Sequence, residues 1–106
     1  MSTDSEKKLI LVVDDEPDVV TYLTTLFEDN GYETASAIDG EEALVKARDR
    51  KPDLITLDIS MPKKSGIKFY REMKSEANLA DVPVLVITAV TAYAGSGEDY
   101  EGFLSS

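Results

Sequence analysis

The chain has 106 residues, with 11 Lys plus Arg against 21 Asp plus Glu, a formal net charge of −10. It contains no His, no Cys and no Trp. Within the sequence this excludes Ser-His-Asp and Cys-His nucleophile systems, a His/Cys zinc site and any disulfide or thiol chemistry. A metal site would have to be built from oxygen, which favours magnesium, calcium or manganese. The acidic balance argues against nucleic acid or an anionic membrane as a direct partner. No apolar run approaches the ~20 residues of a membrane span, and Met1 to Lys8 is polar with no secretory apolar stretch. A cytoplasmic protein with one domain's length of chain is the expectation.

Leu9 to Val13 is a continuous apolar run, which predicts a strand buried on both faces. Pro17 then suits the first turn of a helix, because that turn has no use for the missing N–H. Val19, Leu23 and Leu26, with Val20 and Phe27 beside them, keep helical spacing up to a stop at Asn30-Gly31. Tyr32 to Ala37 reads as a second, weaker strand. Asp39 caps a second helix, with Glu42 as capping-box partner and Glu42–Lys46 as an i,i+4 pair. Ala43, Leu44 and Ala47 form that helix's narrow apolar face.

Leu54 to Leu57 is a third strand, ending at Asp58, and residues 61–66 read as a loop. Ile67, Tyr70 and Met73 mark a third helix, with Lys68, Arg71, Glu72 and Lys74 on its outer face. Tyr22, Phe27, Phe69 and Tyr70 read as core or helix-face residues. Val82 to Ile87 is a fourth strand, ending at Thr88. Strands alternating with helices predict βαβ units, a parallel sheet and a doubly wound α/β sandwich. Beyond Thr88 the pattern fails. Residues 91–106 are irregular and acidic, or begin a further helix, and no Lys or Arg follows Lys74. The expected division is a polar tail over 1–7, the domain over 8–90 and the acidic segment over 91–106.

In a parallel sheet every strand's C-terminal end lies on one rim, and ligands bind just beyond it. Asp14 and Asp15 follow strand one, Asp58 ends strand three and Thr88 ends strand four. If these strands are neighbours, three carboxylates and a hydroxyl converge. Mutually repelling carboxylates are relieved by a proton or by a hard cation such as Mg²⁺. Each piece also has a plain reading. The acidic run complements a helix N-terminus, Asp58 alone is a turn residue, and a Thr at a strand end is common.

Taken in order, Val12 to Glu16, Asp39 to Ala43, Pro52-Asp53, Asp58 to Pro62 with Gly66 four residues on, and Pro83 to Ala89 resemble the receiver domain of two-component response regulators. The resemblance implies a flavodoxin-like sheet of order 2-1-3-4, with the family's fifth strand and last helix missing from the chain. It implies a phosphoacceptor at Asp58, taking its phosphoryl group from a histidine kinase or phosphotransfer protein. It also implies Mg²⁺ on Asp15, Asp58 and the Ser60 backbone carbonyl, with Asp14 acting mainly through water. Thr88 would be the switch hydroxyl and the Ala89 N–H a phosphoryl donor, while Ser60 and Val90 occupy hydrolysis-tuning positions. The protein would then be a phosphoacceptor and not an enzyme in the turnover sense. The family's essential Lys near a fifth strand has no counterpart here, so a phosphorylation-impaired docking module is the alternative. An open edge on strand four would favour self-association. A flavin carrier fits poorly, since Asp14-Asp15-Glu16 would repel a bare phosphate. A haloacid-dehalogenase-like phosphatase would want Asp-x-Asp where this chain has Asp-Asp-Glu.

Overall fold

The computed structural model describes residues 7–61 and 65–87. The elements, in chain order, are β1 (Leu9–Val13), α1 (Pro17–Asp29), β2 (Glu33–Ala37), α2 (Gly40–Asp49), β3 (Leu54–Asp58), α3 (Ser65–Lys74) and β4 (Val84–Ile87). The four strands form one parallel sheet in the order β2-β1-β3-β4. The expected α/β fold and strand order are therefore present. The region in which further elements would fall, from Thr88 onward, lies outside the described residues.

The strand patterns explain the layering. Every residue of β1 is buried, as a central strand covered on both faces requires. Leu11, Val13, Ala37, Ile55 and Leu57 point to one face. There they pack with Ala43, Leu44, Ala47, Phe69, Met73, Leu79 and Val82 from α2, α3 and the segment after α3. The opposite face, which carries Ile10, Val12 and Thr56, receives α1. That helix covers it incompletely: none of its residues is fully buried, and Val19, Val20, Leu23 and Phe27 are half-buried. Leu85 and Val86 of β4 remain 53% and 46% exposed. Thr56 is buried with no partner for its hydroxyl among the described residues.

Local chemistry sets the ends of the helices. Pro17 occupies the first turn of α1 as expected. At the other end Gly31 adopts φ +92°, with Gly31 N donating to Glu28 O at 3.1 Å and Tyr32 N to Phe27 O at 3.1 Å. These two bonds make a Schellman stop, and the Phe27 and Tyr32 rings meet edge to face across it, with centroids 6.3 Å apart. Tyr32 thus belongs to the stop, and β2 begins one residue later than the pattern suggested. In α2 the Asp39 carboxylate accepts from Glu42 N at 2.8 Å. The return bond comes to Glu42 Oε1 from Ile38 N at 2.8 Å, one residue before the usual capping-box donor. The Glu42–Lys46 pair forms at 3.3 Å.

Three further expectations are corrected. The buried face of α3 is Gly66, Phe69 and Met73, whereas Ile67 and Tyr70 are 41% and 42% exposed. A hydropathy pattern passes over glycine, but here Gly66 supplies the close approach and sets the register of the face. The helix also begins at Ser65, inside the stretch read as a loop. β4 begins at Val84, not Val82. Pro83 has no N–H to donate, though its carbonyl accepts from Ile55 N at 3.0 Å.

Candidate metal and phosphoacceptor site

The register places the acidic residues. Val13 pairs with Ala37 on one side and Leu57 on the other, so Asp14 and Asp58 emerge together on the C-terminal rim. Asp14 N donates to Ala37 O at 3.0 Å, which carries the sheet's pairing one step past β1. The Asp14 Oδ1 accepts from Glu16 N at 2.9 Å and turns the chain into α1. Asp58 pairs with Ile87, and Ile59 N donates to Ile87 O at 3.2 Å. One carboxylate oxygen each from Asp14, Asp15 and Asp58 lies within 4.8 Å of the others. Asp14 and Asp58 are 3% and 7% exposed, while Asp15 is open to solvent.

Burial pushes the Asp14 carboxyl above its ordinary value, and the charges of Asp58, Asp15 and Glu16 push the same way against the Glu16 N–H. A hard cation is the other remedy for this concentration of charge. Adjacent oxygens around an octahedral Mg²⁺ at about 2.1 Å stand roughly 3 Å apart. Carboxylate oxygens within 4.8 Å of one another are near enough for two to bind one ion after side-chain adjustment and for the third to reach it through water. The donor set, all oxygen and partly open, fits Mg²⁺ and would not suit zinc or copper.

The loop after β3 is tied to Asp58 through Ser60. Ser60 N donates to Asp58 Oδ1 at 2.9 Å, and Ser60 Oγ donates to the same oxygen at 2.5 Å. Two glycines hold the surrounding loops together. A Cβ on Gly66 would stand 2.9 Å from Asp58 O and 3.3 Å from Ile59 Cα. One on Gly40 would stand 2.7 Å from Ser65 O. Gly40 N also donates to Ser65 Oγ at 2.8 Å, which joins the start of α2 to the start of α3. Beside Asp15 opens a cleft of about 560 Å³, lined by Ile38, Gly40, Met61, Ser65, Lys68 and Phe69 among others.

The structure thus brings together Asp14, Asp15, Asp58 and Ser60. Thr88, Ala89 and Val90 lie outside the described residues. The Ser60 side-chain bond and the Gly40–Ser65 tie were not among the expectations. The only signal for the tie was Ser65 next to Gly66, a hydroxyl beside a position with no side chain.

The family profile described as Response regulator receiver domain matches residues 10–99. The chain is 46% identical over 82 residues to the alkaline phosphatase synthesis transcriptional regulatory protein PhoP of Bacillus subtilis, covering 77% of this chain and 33% of that protein. Among solved structures it resembles the response regulator TrrA of Thermotoga maritima in complex with Mg²⁺-BeF, with a TM-score of 0.71 and 40% identity over 81% of this chain and 73% of that one. It also resembles the Vibrio cholerae chemotaxis protein CheY4, with a TM-score of 0.72 and 31% identity over 76% of this chain and 67% of that one. The chain belongs to the response regulator receiver domain family of two-component systems. It spans about a third of the length of PhoP.

Proposed function

We propose that Asp58 is the phosphoacceptor of this receiver, charged by a phosphohistidine on a histidine kinase or phosphotransfer protein. The observation that carries the reading is the meeting of three carboxylate oxygens within 4.8 Å at the ends of two neighbouring parallel strands. A free oxygen of Asp58 attacks phosphorus as the bond from phosphorus to the histidine nitrogen breaks, and that nitrogen keeps the electron pair. The product is an acyl phosphate on Asp58, later lost to water. Asp15, Asp58 and the Ser60 carbonyl would hold Mg²⁺, with Asp14 reaching it through water. The ion would neutralise charge on the phosphoryl oxygens. Burial of Asp58 limits the access of water to the acyl phosphate, and the bond from the Ser60 N–H helps fix the carboxylate's orientation. Thr88 and the Ala89 N–H are assigned to the phosphoryl oxygens on family resemblance alone.

The domain is a signalling acceptor and turns over no separate substrate. No helix among the described residues is long and apolar enough to cross a membrane. With a net charge of −10, a cytoplasmic setting and protein partners are the reading we adopt. Exposed Leu85 and Val86 make self-association along β4 part of it.

The test is incubation with Mg²⁺ and a small acyl phosphate, followed by intact-mass measurement. One added phosphoryl group on the wild type and none on Asp58→Asn is the expected result. A gain that survives Asp58→Asn overturns the assignment. No gain at any Mg²⁺ concentration favours phosphorylation-independent docking.

A further inference from the structure

An ionised carboxylate oxygen offers two lone-pair positions. On Asp58 Oδ1 both are taken from one residue, by Ser60 N at 2.9 Å and Ser60 Oγ at 2.5 Å. The phosphoacceptor reading asks two things of the same carboxylate: one oxygen for the cation and one for phosphorus. Among the described residues only Oδ2 has no donor and is open to do either. The Ser60 N–H is fixed by the turn of the backbone, whereas the Oγ bond can be released by rotation about one side-chain torsion. Ser60 is itself exposed, so its hydroxyl has water to turn to.

We infer that the Ser60 hydroxyl is a built-in competitor for Asp58 Oδ1, a positioning residue that must let go before Mg²⁺ and a phosphoryl group can both be served. This inference rests on the phosphoacceptor reading above and deepens it. The competition runs against the cation. A hydroxyl donating to a charged carboxylate at 2.5 Å is a charge-assisted bond, among the stronger ones a side chain makes. Breaking it subtracts from the binding of Mg²⁺, and water around the released hydroxyl returns only part of the loss. If the cation took Oδ2 instead, phosphorus would have to meet an oxygen whose lone pairs are both engaged. The hydroxyl thus lowers cation affinity while it holds the empty site in shape.

The experiment is a Mg²⁺ titration of the full chain, followed by the NMR shifts of the Glu16 and residue-60 amides. Ser60→Ala is expected to bind Mg²⁺ roughly three- to tenfold more tightly than wild type, the share of a charge-assisted bond left after water compensates. Ser60→Thr keeps a hydroxyl and is expected to stay near wild type. Ser60→Gly, which also lacks the hydroxyl, repeats the measurement should the Ala variant fold poorly. A merely structural role for Ser60 would weaken binding when the hydroxyl is removed. Equal or weaker binding in Ser60→Ala and Ser60→Gly overturns the inference, as does tightening in Ser60→Thr. Asp58→Asn separates the two levels. If it binds Mg²⁺ like wild type, or if wild type binds none, the metal-site reading falls and takes the inference with it. If only Asp58→Asn loses binding and Ser60→Ala gains nothing, the site stands and the competition does not.

Discussion

Replacing Asp14 by Asn should stabilise the metal-free protein, although Asp14 is one of the site's own residues. Asn keeps the shape and leaves an amide oxygen to accept from Glu16 N, now without charge. It removes a carboxylate that is 3% exposed and has Asp15 and Asp58 oxygens within 4.8 Å. At that separation, with an effective dielectric constant of roughly 40–80 because Asp15 is solvated, each repulsion is about 0.9–1.7 kcal/mol. The weakened bond from Glu16 N returns part of this gain. A net stabilisation of about 1–2 kcal/mol remains, which for a domain of this size raises Tm by roughly 5–15 °C.

The pH dependence carries the sign. Asp14 is held above its ordinary value of 3.8, first by burial and then by its acidic neighbours. The folded state therefore binds its proton more tightly than the unfolded state does. That contribution to stability is complete below the unfolded value and is lost as pH rises through the folded one. The advantage of Asp14→Asn should accordingly be full near neutral pH and small at about pH 3.5, where the wild-type carboxyl is largely protonated. Added Mg²⁺ should narrow the neutral-pH gap, because it stabilises the wild type by mass action. Thermal unfolding of both proteins, in chelator and in Mg²⁺ at several pH values, reads all three effects. An Asn variant no more stable than wild type in chelator at neutral pH would refute the reasoning, and so would a pH-independent gain.

Other outcomes follow from the packing. Gly66→Ala should cost about 1–3 kcal/mol in urea unfolding, because the new methyl meets backbone at 2.9 Å and 3.3 Å and helix propensity offsets little of that. A neutral result would show that α3 can slide away from Asp58. Gly31→Ala should cost about 1 kcal/mol with no clash at all, since nothing lies within 4 Å and the loss comes from φ +92° alone. Gly31→Asn should lose less, and equal losses would argue against a conformational cause. Thr56→Val should raise stability by about 1 kcal/mol or more, because it replaces a buried, unpartnered hydroxyl with a methyl of the same shape. A loss on that change would mean the hydroxyl has a partner beyond the described residues.

Much of this architecture was readable in the sequence because its signals are local. Leu9 to Val13 is uninterrupted and becomes a wholly buried strand, Pro17 and Gly31 bracket α1, and Asp39 caps α2. Convergence of Asp14, Asp15 and Asp58 was also accessible, because parallel strands put their C-terminal ends on one side. What escaped depends on distances that a periodicity cannot express. The face of α3 was misread because Gly66 contributes no hydropathy, although its missing side chain is what seats the helix against Asp58 and Ile59. Ser60 was placed by its backbone carbonyl, and nothing in the pattern indicated that its hydroxyl would turn to Oδ1. The tie from Gly40 to Ser65 spans 25 positions and exists only once α2 and α3 stand side by side.

That tie has a mechanical consequence. The start of α3 touches the backbone of Asp58 on one side and the first residue of α2 on the other, each across a gap that a single methyl group would overfill. Such contacts leave no slack in which a small movement can dissipate, because close-packed interiors transmit displacement instead of absorbing it. A shift of the Asp58 main chain by a fraction of an ångström would push directly on a rigid rod ten residues long, and that rod bears on its neighbour. The two bare glycines thus act like bearings fitted without play: what the carboxylate loop does, two helices must follow.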